Sequence, residues 1–205
     1  MSNLSTKKYI HIENFIQDIK HVNVNIIQLS KFAKAAKLIS SKIKDISIQE
    51  ISFDCTVEHK GFVHEDYYVF KLQKEITKGV HNGIATVNNS LILSLPGQEY
   101  SASSVNEYIS ITISIPKEVI EEWFGVLQAG VFSLENNVFI ERFISIFNKI
   151  LLLKLNNEFH QEYVYNLILY KMVKLLSNIQ KFDKQNKNYQ KFNNITSFIK
   201  KNQKH

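Results

Sequence analysis

The stretch Tyr108-Ile-Ser-Ile-Thr-Ile-Ser-Ile-Pro-Lys-Glu-Val-Ile-Glu-Glu-Trp-Phe124 decides the fold, because two periodicities meet in it. From Tyr108 to Ile115, isoleucines alternate with serine and threonine, which predicts a β-strand with one apolar and one polar face. Pro116 suits the first position of a helix, and Glu118 is favoured at its positive end. Gly125 ends the helical pattern. The chain therefore changes from β structure to helix at Pro116.

Upstream of this stretch, short alternating segments predict further strands, at residues 22–26 and 62–74. Within residues 46–53 the apolar positions change parity, which predicts a β-bulge. Asn88-Asn89 separates two apolar segments and predicts a tight hairpin, because asparagine tolerates positive φ. The region from about 22 to 115 is therefore predicted to be mainly β, as in sandwiches and small barrels.

Helical periodicity is found on both sides of this β region. Residues 2–20 carry one amphipathic stripe, and no strand pattern returns beyond Gly130. Two long helices, over 136–155 and 158–179, are joined by a short connection, which predicts an antiparallel pair. The sequence is thus expected to be α+β: a β domain over 1–130, a helical hairpin over 131–180 and a basic tail over 181–205.

The first long helix has so little polar surface that it must be covered on several sides. Two alternatives remain open: both helices pack on the chain's own sheet, or a second copy of the hairpin covers them in a homodimer. The dimer alternative places these residues at the interface: Phe143, Phe147, Leu151, Leu169, Met172 and Leu176.

The composition indicates an ordinary globular protein. The chain has 205 residues, 44% of them hydrophobic, with only six glycines and two prolines. No apolar run is long enough for a membrane span, and the start lacks the apolar core of a signal peptide. A single cysteine, Cys55, permits no internal disulfide, so a cytoplasmic location without membrane contact is expected.

The net charge of +6 is unevenly distributed. The basic residues are 24 lysines and one arginine, Arg142, whereas base readout in DNA grooves depends largely on arginine. Residues 178–205 hold seven lysines and one aspartate and so carry the whole excess. The rest of the chain is electrically balanced, which argues against nucleic-acid binding by the body of the protein.

The sequence lacks the motifs that would announce an enzyme. It has no glycine-rich phosphate loop and no Gly-x-Ser-x-Gly elbow. Metal-competent groups are densest from Cys55 to Asp66, but their spacing is typical of a polar hairpin turn. His81 stands alone and is expected at the surface. We therefore predict no catalytic residue, no metal and no cofactor.

The β region is rich in aromatic residues, with Lys71 and Lys74 interleaved. An aromatic and aliphatic lining with one or two polar groups is typical of a small-molecule pocket, although the same residues also suit a core. Either lysine would suit an acidic ligand. The predicted ligand-binding residues are Phe53, Tyr68, Phe70, Lys71 and Tyr108.

Two segments carry a resemblance to a known family. Leu95-Pro-Gly-Gln-Glu-Tyr100 and Glu107-Tyr-Ile-Ser-Ile-Thr-Ile-Ser-Ile-Pro-Lys-Glu-Val-Ile-Glu-Glu-Trp-Phe124 resemble the N-terminal regulatory domain of AraC-type transcription regulators. In that family a Pro-Gly turn closes one strand, a later strand ends in Ile-Pro, and a short helix leads to a helical hairpin. The resemblance covers most of residues 10–180.

The resemblance implies a cupin-like β-barrel or sandwich that binds an effector and a helical pair that dimerises. It also implies DNA binding only through a C-terminal helix-turn-helix domain, which is not present in this sequence. Our leading hypothesis is therefore a regulatory, ligand-sensing domain that forms a homodimer. A second hypothesis is a stand-alone module that heterodimerises with a full-length regulator, and a third is a metal-dependent cupin-type enzyme.

Overall fold

The computed structural model describes residues 5–31, 36–133, 137–153 and 157–179. Within these ranges the chain is an α+β protein, as predicted, with mainly antiparallel strands followed by two long helices. The strands are β1 (Ser5–Tyr9), β2 (Val22–Gln28), β3 (Ala36–Ile43), β4 (Ile46–Phe53), β5 (Val57–Val63), β6 (Tyr67–His81), β7 (Ile84–Thr86), β8 (Ser90–Ser94), β9 (Glu99–Pro116) and β10 (Gly130–Ser133). The helices are α1 (Ile12–Ile16), α2 (Lys117–Phe124), α3 (Asn137–Leu152) and α4 (Glu158–Ile179).

The two longest strands, β6 and β9, pair along nearly their whole length. Their register shifts between Gln73 and Glu75 and again between Ile76 and Lys78, and irregularities of this kind bend a strand pair. β4 and β8 flank one half of the pair, whereas β5 and β7 flank the other half. The bent pair therefore belongs to two layers.

We call these layers the helix-side sheet and the outer sheet. The helix-side sheet has the order β1-β3-β4-β9-β6-β8-β10 and includes residues 67–73 of β6 and 110–116 of β9. The outer sheet has the order β2-β5-β9-β6-β7 and includes residues 78–81 and 99–105 of the same strands. No pairing among the described strands closes these layers into a barrel, so the arrangement is an open sandwich.

The strands at the centre of the helix-side sheet are buried on both faces. In β9, Ile111 and Ile113 lie in the core under the helices, while Ser110 and Thr112 face the space between the sheets and are equally buried. The predicted bulge in β4 is wrong, because β4 pairs with β9 without interruption from Ser47 to Phe53. A strand buried on both sides carries apolar residues on both parities, which imitates a bulge in the sequence.

The structure confirms the tight turn predicted at Asn88-Asn89 but not the strand pairing predicted across it. Asn89 has φ 64°, which confirms the tight turn, but β7 and β8 both pair with β6 and not with each other. The turn docks on the bent part of β6, where the Asn88 Oδ1 accepts a hydrogen bond of 2.8 Å from the amide of Ile76. The two-residue hairpin is instead at Asn82-Gly83, with φ 48° and 79°, and joins β6 to β7.

Two further expectations are wrong at the edges of the helix-side sheet. Residues 5–9 form β1, paired with β3, so the N-terminal helix is only α1. Residues 130–133 form β10, paired with β8. Both strands are too short for alternation to be visible in the sequence, and pairing with a neighbour determines their conformation. The start of α2 after Pro116 and its end before Gly125, which has φ 71°, agree with the prediction.

The helices and the helix-side sheet share one hydrophobic core. All six residues predicted for a dimer interface are at most 1% exposed within the single chain, where they form part of the core, and their role in dimerisation stays a prediction. The isoleucine face of the helix-side sheet covers these six residues, so both helices pack on the chain's own sheet. These residues are Phe143, Phe147 and Leu151 of α3 and Leu169, Met172 and Leu176 of α4.

The division into three regions stays a prediction, and the basic tail over 181–205 lies outside the described residues. None of the helices in the described part of the chain combines the length and the apolar composition that a membrane crossing requires.

The core placement of Phe147 leads to a stability prediction. Phe147→Ala should lower the free energy of unfolding by about 3–5 kcal/mol, because it leaves a cavity under the sheet. Ser145→Ala, on the exposed side of the same helix, should change it by no more than about 0.5 kcal/mol. Urea denaturation at two protein concentrations measures both. A loss in Phe147→Ala that disappears at high protein concentration would instead support the interface assignment.

Candidate functional site

A cavity lies between the helix-side sheet and the outer sheet. Its empty space, including the solvent-filled mouth, is about 670 Å³. The part open to the centres of water-sized atoms is about 60 Å³. A water molecule needs roughly 10–15 Å³ on this measure, so the cavity has room for a handful of waters or a short organic molecule.

Most of the lining residues are aliphatic or phenylalanine, and those on the strands follow from strand alternation. On β2, Val22, Val24 and Ile26 line the cavity, while the intervening Asn23 and Asn25 are exposed. β5 contributes valines in the same way, and β4 contributes Ile51 and Phe53. The ring of Phe53 stacks on that of Tyr108 with centroids 4.7 Å apart, which forms an aromatic wall.

Helix α1 and the turn after it also line the cavity, through Phe15 and Ile19. The buried side chain of Gln49 holds this segment with two hydrogen bonds of 3.0 Å. Its Oε1 accepts from the amide of Lys20, and its Nε2 donates to the carbonyl of Asp18. The Gln49 side chain of β4 thus holds residues 12–20, which we call the N-terminal cover, on the helix-side sheet.

The helix-side sheet contributes a polar group centred on Lys71. Thr112 lies directly opposite Lys71 in the β6–β9 register and is 3% exposed, and its hydroxyl has no hydrogen-bond partner among the described residues. The Lys71 Nζ lies 6.0 Å from the centroid of the Tyr108 ring. No carboxylate of the described chain lies within 4 Å of this ammonium, and no aspartate or glutamate lines the cavity.

The outer sheet contributes two imidazoles. His59 of β5 and His81 of β6 both pair with Ala102 of β9, so they flank this small residue on either side. Tyr100 contacts both rings, edge-on to His59 and stacked on His81, each at 5.7 Å between centroids. His81 is 5% exposed, and its Nδ1 has no partner in the part of the chain that the structure describes.

Burial sets the protonation of these groups. Desolvation, followed by the charge of Lys71, lowers the pKa of His81 to about 4 and holds the pKa of His59 well below its usual range. Desolvation also raises the pKa of the Tyr100 phenol. At neutral pH both imidazoles and the phenol are therefore uncharged. Among the lining residues the positive charge is carried by the Lys71 ammonium.

Three of the five predicted ligand-binding residues, Phe53, Lys71 and Tyr108, line this cavity, and their role in binding stays a prediction. Tyr68 and Phe70 do not line it, because they alternate with Lys71 on β6 and face the helices. The Tyr68 hydroxyl donates to Glu121 of α2 at 3.2 Å. Lys74 is also outside the lining, since its Nζ forms an ion pair of 2.6 Å with Glu50.

Sequence reasoning missed His59, His81, Tyr100 and Thr112. His59 was grouped with a polar turn, yet it shares its parity with Val57 and Val63 of β5, which is the signal that places it inside. His81 precedes the Asn82-Gly83 turn and occupies the end of a strand. Only the bend of the β6–β9 pair brings it opposite Lys71, and no local pattern shows that bend.

The metal-competent segment does not assemble. Cys55 is buried, and desolvation, followed by the charge of Asp54, raises the pKa of its thiol to about 11, so the thiol is inert. Glu58 and His64 are exposed. Among the described residues no three histidine, cysteine or carboxylate side chains come together as a metal site.

Comparison with known proteins gives a structural likeness only. No family model matches the sequence, and no curated protein does. The fold is similar to that of an AraC-like activator. The crystal structure of the AraC-like transcriptional activator CuxR matches with a TM-score of 0.64 and 13% identity, covering 90% of this chain and 73% of that one. The cupin domain of Schizosaccharomyces pombe Cnp3 matches with a TM-score of 0.35 and 8% identity, covering 62% of this chain and 96% of that one.

The buried imidazole of His81 predicts a pH-dependent stability. The unfolded chain takes up this proton near pH 6.5, but the folded chain resists it until about pH 4, so stability falls as the pH drops through this window. The loss from His81 is on the order of 3 kcal/mol, at about 1.4 kcal/mol per pKa unit. His81→Phe keeps the ring and should flatten the dependence by this amount in urea denaturation.

Val57→Ala is the matched control for this experiment. This substitution removes two methyl groups from the cavity wall and changes no titratable group. The free energy of unfolding should therefore fall by the same amount at every pH. An unchanged pH dependence in His81→Phe would contradict the burial of a neutral imidazole.

The two hydrogen bonds from Gln49 to the N-terminal cover give a second prediction for this site. Gln49→Leu removes both hydrogen bonds and should destabilise the protein by about 1–3 kcal/mol. Amide hydrogen exchange of residues 12–20 should accelerate more than that of β9. Equal acceleration in both segments would show that Gln49 stabilises the whole fold rather than the cover.

Proposed function

We propose that this chain is a regulatory domain of the AraC-like type, which senses a small molecule and dimerises. It would control DNA binding by an attached or partner helix-turn-helix domain. The observation that carries the proposal is the cavity. It contains a charged lysine without a carboxylate partner, and it lies inside a fold similar to that of an AraC-like activator.

The helix-side sheet links the cavity to the helices. On β6, Lys71 points into the cavity, whereas its neighbours Phe70 and Leu72 pack under the helices. Tyr68 of the same strand is hydrogen-bonded to Glu121 of α2. A ligand that favours one position of β6 would therefore also favour one position of the helices, which is a shift of population between two arrangements.

A second connection joins the same sheet to α4. Lys44, in the turn between β3 and β4, forms an ion pair with Glu162, and its Nζ lies 4.9 Å from the centroid of the Tyr165 ring. Asn166 donates to the Glu162 backbone carbonyl at 3.0 Å and so lies beside this pair. Movements of the sheet would thus reach the helix that carries the proposed dimer surface.

We assign the dimer surface to the outer face of α4. This face remains apolar after the core residues are buried, since Phe159 is 68% exposed and Tyr163, Leu167 and Tyr170 are half-buried along the same side. Apolar residues on one helical face are the usual material of a helix-to-helix interface. The six residues predicted from the sequence lie in the core of the single chain and not on this face.

A reporter assay tests the regulatory function. Residues 1–205 are fused to a DNA-binding domain that represses only as a dimer, and repression by the fusion is expected. Phe159→Arg should lower repression at least about tenfold, because it places a charge in the interface. Val126→Arg, at a position 79% exposed outside the hairpin, should leave it unchanged.

Analytical ultracentrifugation of the wild-type chain, Phe159→Arg and Val126→Arg measures the dissociation constant of each homodimer. A monomer at micromolar concentration for the wild-type chain, together with absent repression, would contradict homodimerisation. Equal effects of the two arginine variants would contradict the assignment to α4.

A further inference from the structure

We propose that the cavity binds a small organic carboxylate, with its charged end between Lys71 and the outer-sheet imidazoles and its apolar end along the aliphatic lining. This inference deepens the proposed function and rests on it, since it names the chemical class of the molecule that is sensed.

The charge of the ligand follows from Lys71. An ammonium in an apolar cavity is stabilised by an opposite charge, and the described chain supplies none to it. The carboxylate of Glu50 is already paired with Lys74, and that of Asp18 with Lys7 and the Tyr9 hydroxyl. A cation would be repelled by Lys71, and a neutral ligand would leave it unpaired.

The polar groups around Lys71 suit the oxygens of a carboxylate. Thr112 has a hydroxyl proton to donate, and the neutral imidazoles of His59 and His81 carry one ring N–H each. The Thr112 hydroxyl and the His81 Nδ1 are buried without a partner in the described chain, which is costly unless a bound molecule satisfies them. Donors from both sheets therefore converge on one place.

The remaining lining determines the rest of the ligand. The walls from β2 and α1, together with the two β5 valines, are valine, isoleucine and phenylalanine side chains, which offer no partner to a polyhydroxylated molecule. The space of about 60 Å³ for atom centres matches a short molecule. A carboxylate with a short apolar chain satisfies both the polar and the apolar parts of the cavity.

The experiment uses four carboxylates of increasing chain length, acetate, butyrate, hexanoate and octanoate, with hexanamide as the neutral analogue and hexylammonium as the cationic one. Each is titrated into the full chain carrying labelled alanine and valine methyl groups, and binding is followed by NMR. Ala102 lies between the two imidazoles and reports on the charged end. Val24 reports on the apolar wall, and the exposed Val126 serves as the surface control.

At least one carboxylate should shift the Ala102 and Val24 signals saturably, with the Val126 signal unchanged. Lys71→Met keeps the length of the side chain and removes its charge, so it should weaken that carboxylate about tenfold or more. It should not weaken hexanamide. Lys78→Met removes an exposed lysine of the same strand and should leave both affinities as in the wild-type chain.

Equal affinity for hexanoate and hexanamide, or a carboxylate affinity unaffected by Lys71→Met, would overturn the inference while leaving a ligand cavity in place. Titrations in which no carboxylate moves the Ala102 signal would overturn it as well. None of these three results bears on the reporter assay, because that assay measures dimer-dependent repression without any of these probes. Failure of the carboxylate inference is thus distinguishable from failure of the proposed function.

Discussion

The burial of the helix-side half of the β6–β9 pair on both faces is the constraint on which the rest of the structure depends. One face carries the isoleucines and aromatic residues that pack under α2, α3 and α4. The other face carries Lys71 and Thr112 and encloses the cavity against the outer sheet. Because successive side chains of a strand point to opposite sides, any shift of these strands moves both surfaces together.

Two-sided burial also explains why the interior contains so many polar residues. Ser110, Thr112 and Ser114 share the face opposite the isoleucines of β9, and all three are at most 3% exposed. Packing alone would favour apolar residues there, because buried hydroxyls without partners are costly. Thr112 is the member of this set that lines the cavity, and the bend of the pair places His81 and Tyr100 in the same lining.

Sequence patterns predicted the architecture better than the site. Alternation located β2, the first half of β6 and the second half of β9, and the change of period at Pro116 located α2, because these signals are local. The short strands β1 and β10 depend on pairing with neighbours and were missed. Lys71 was found because it is interleaved with the aromatic residues of this region. His59 and His81 become cavity residues only through the register of β5 and β6 with β9, which depends on contacts distant in sequence.

The central claim is that a molecule in the cavity acts on the helices through the helix-side sheet. Hydrogen–deuterium exchange of the full chain, with and without a carboxylate that saturates the Ala102 signal, measures this directly. The account predicts slower exchange in α1 and β6 that extends to α2 and α4, and a much smaller response in Lys71→Met. Protection confined to the outer sheet and α1, with α2 and α4 unchanged, would contradict it.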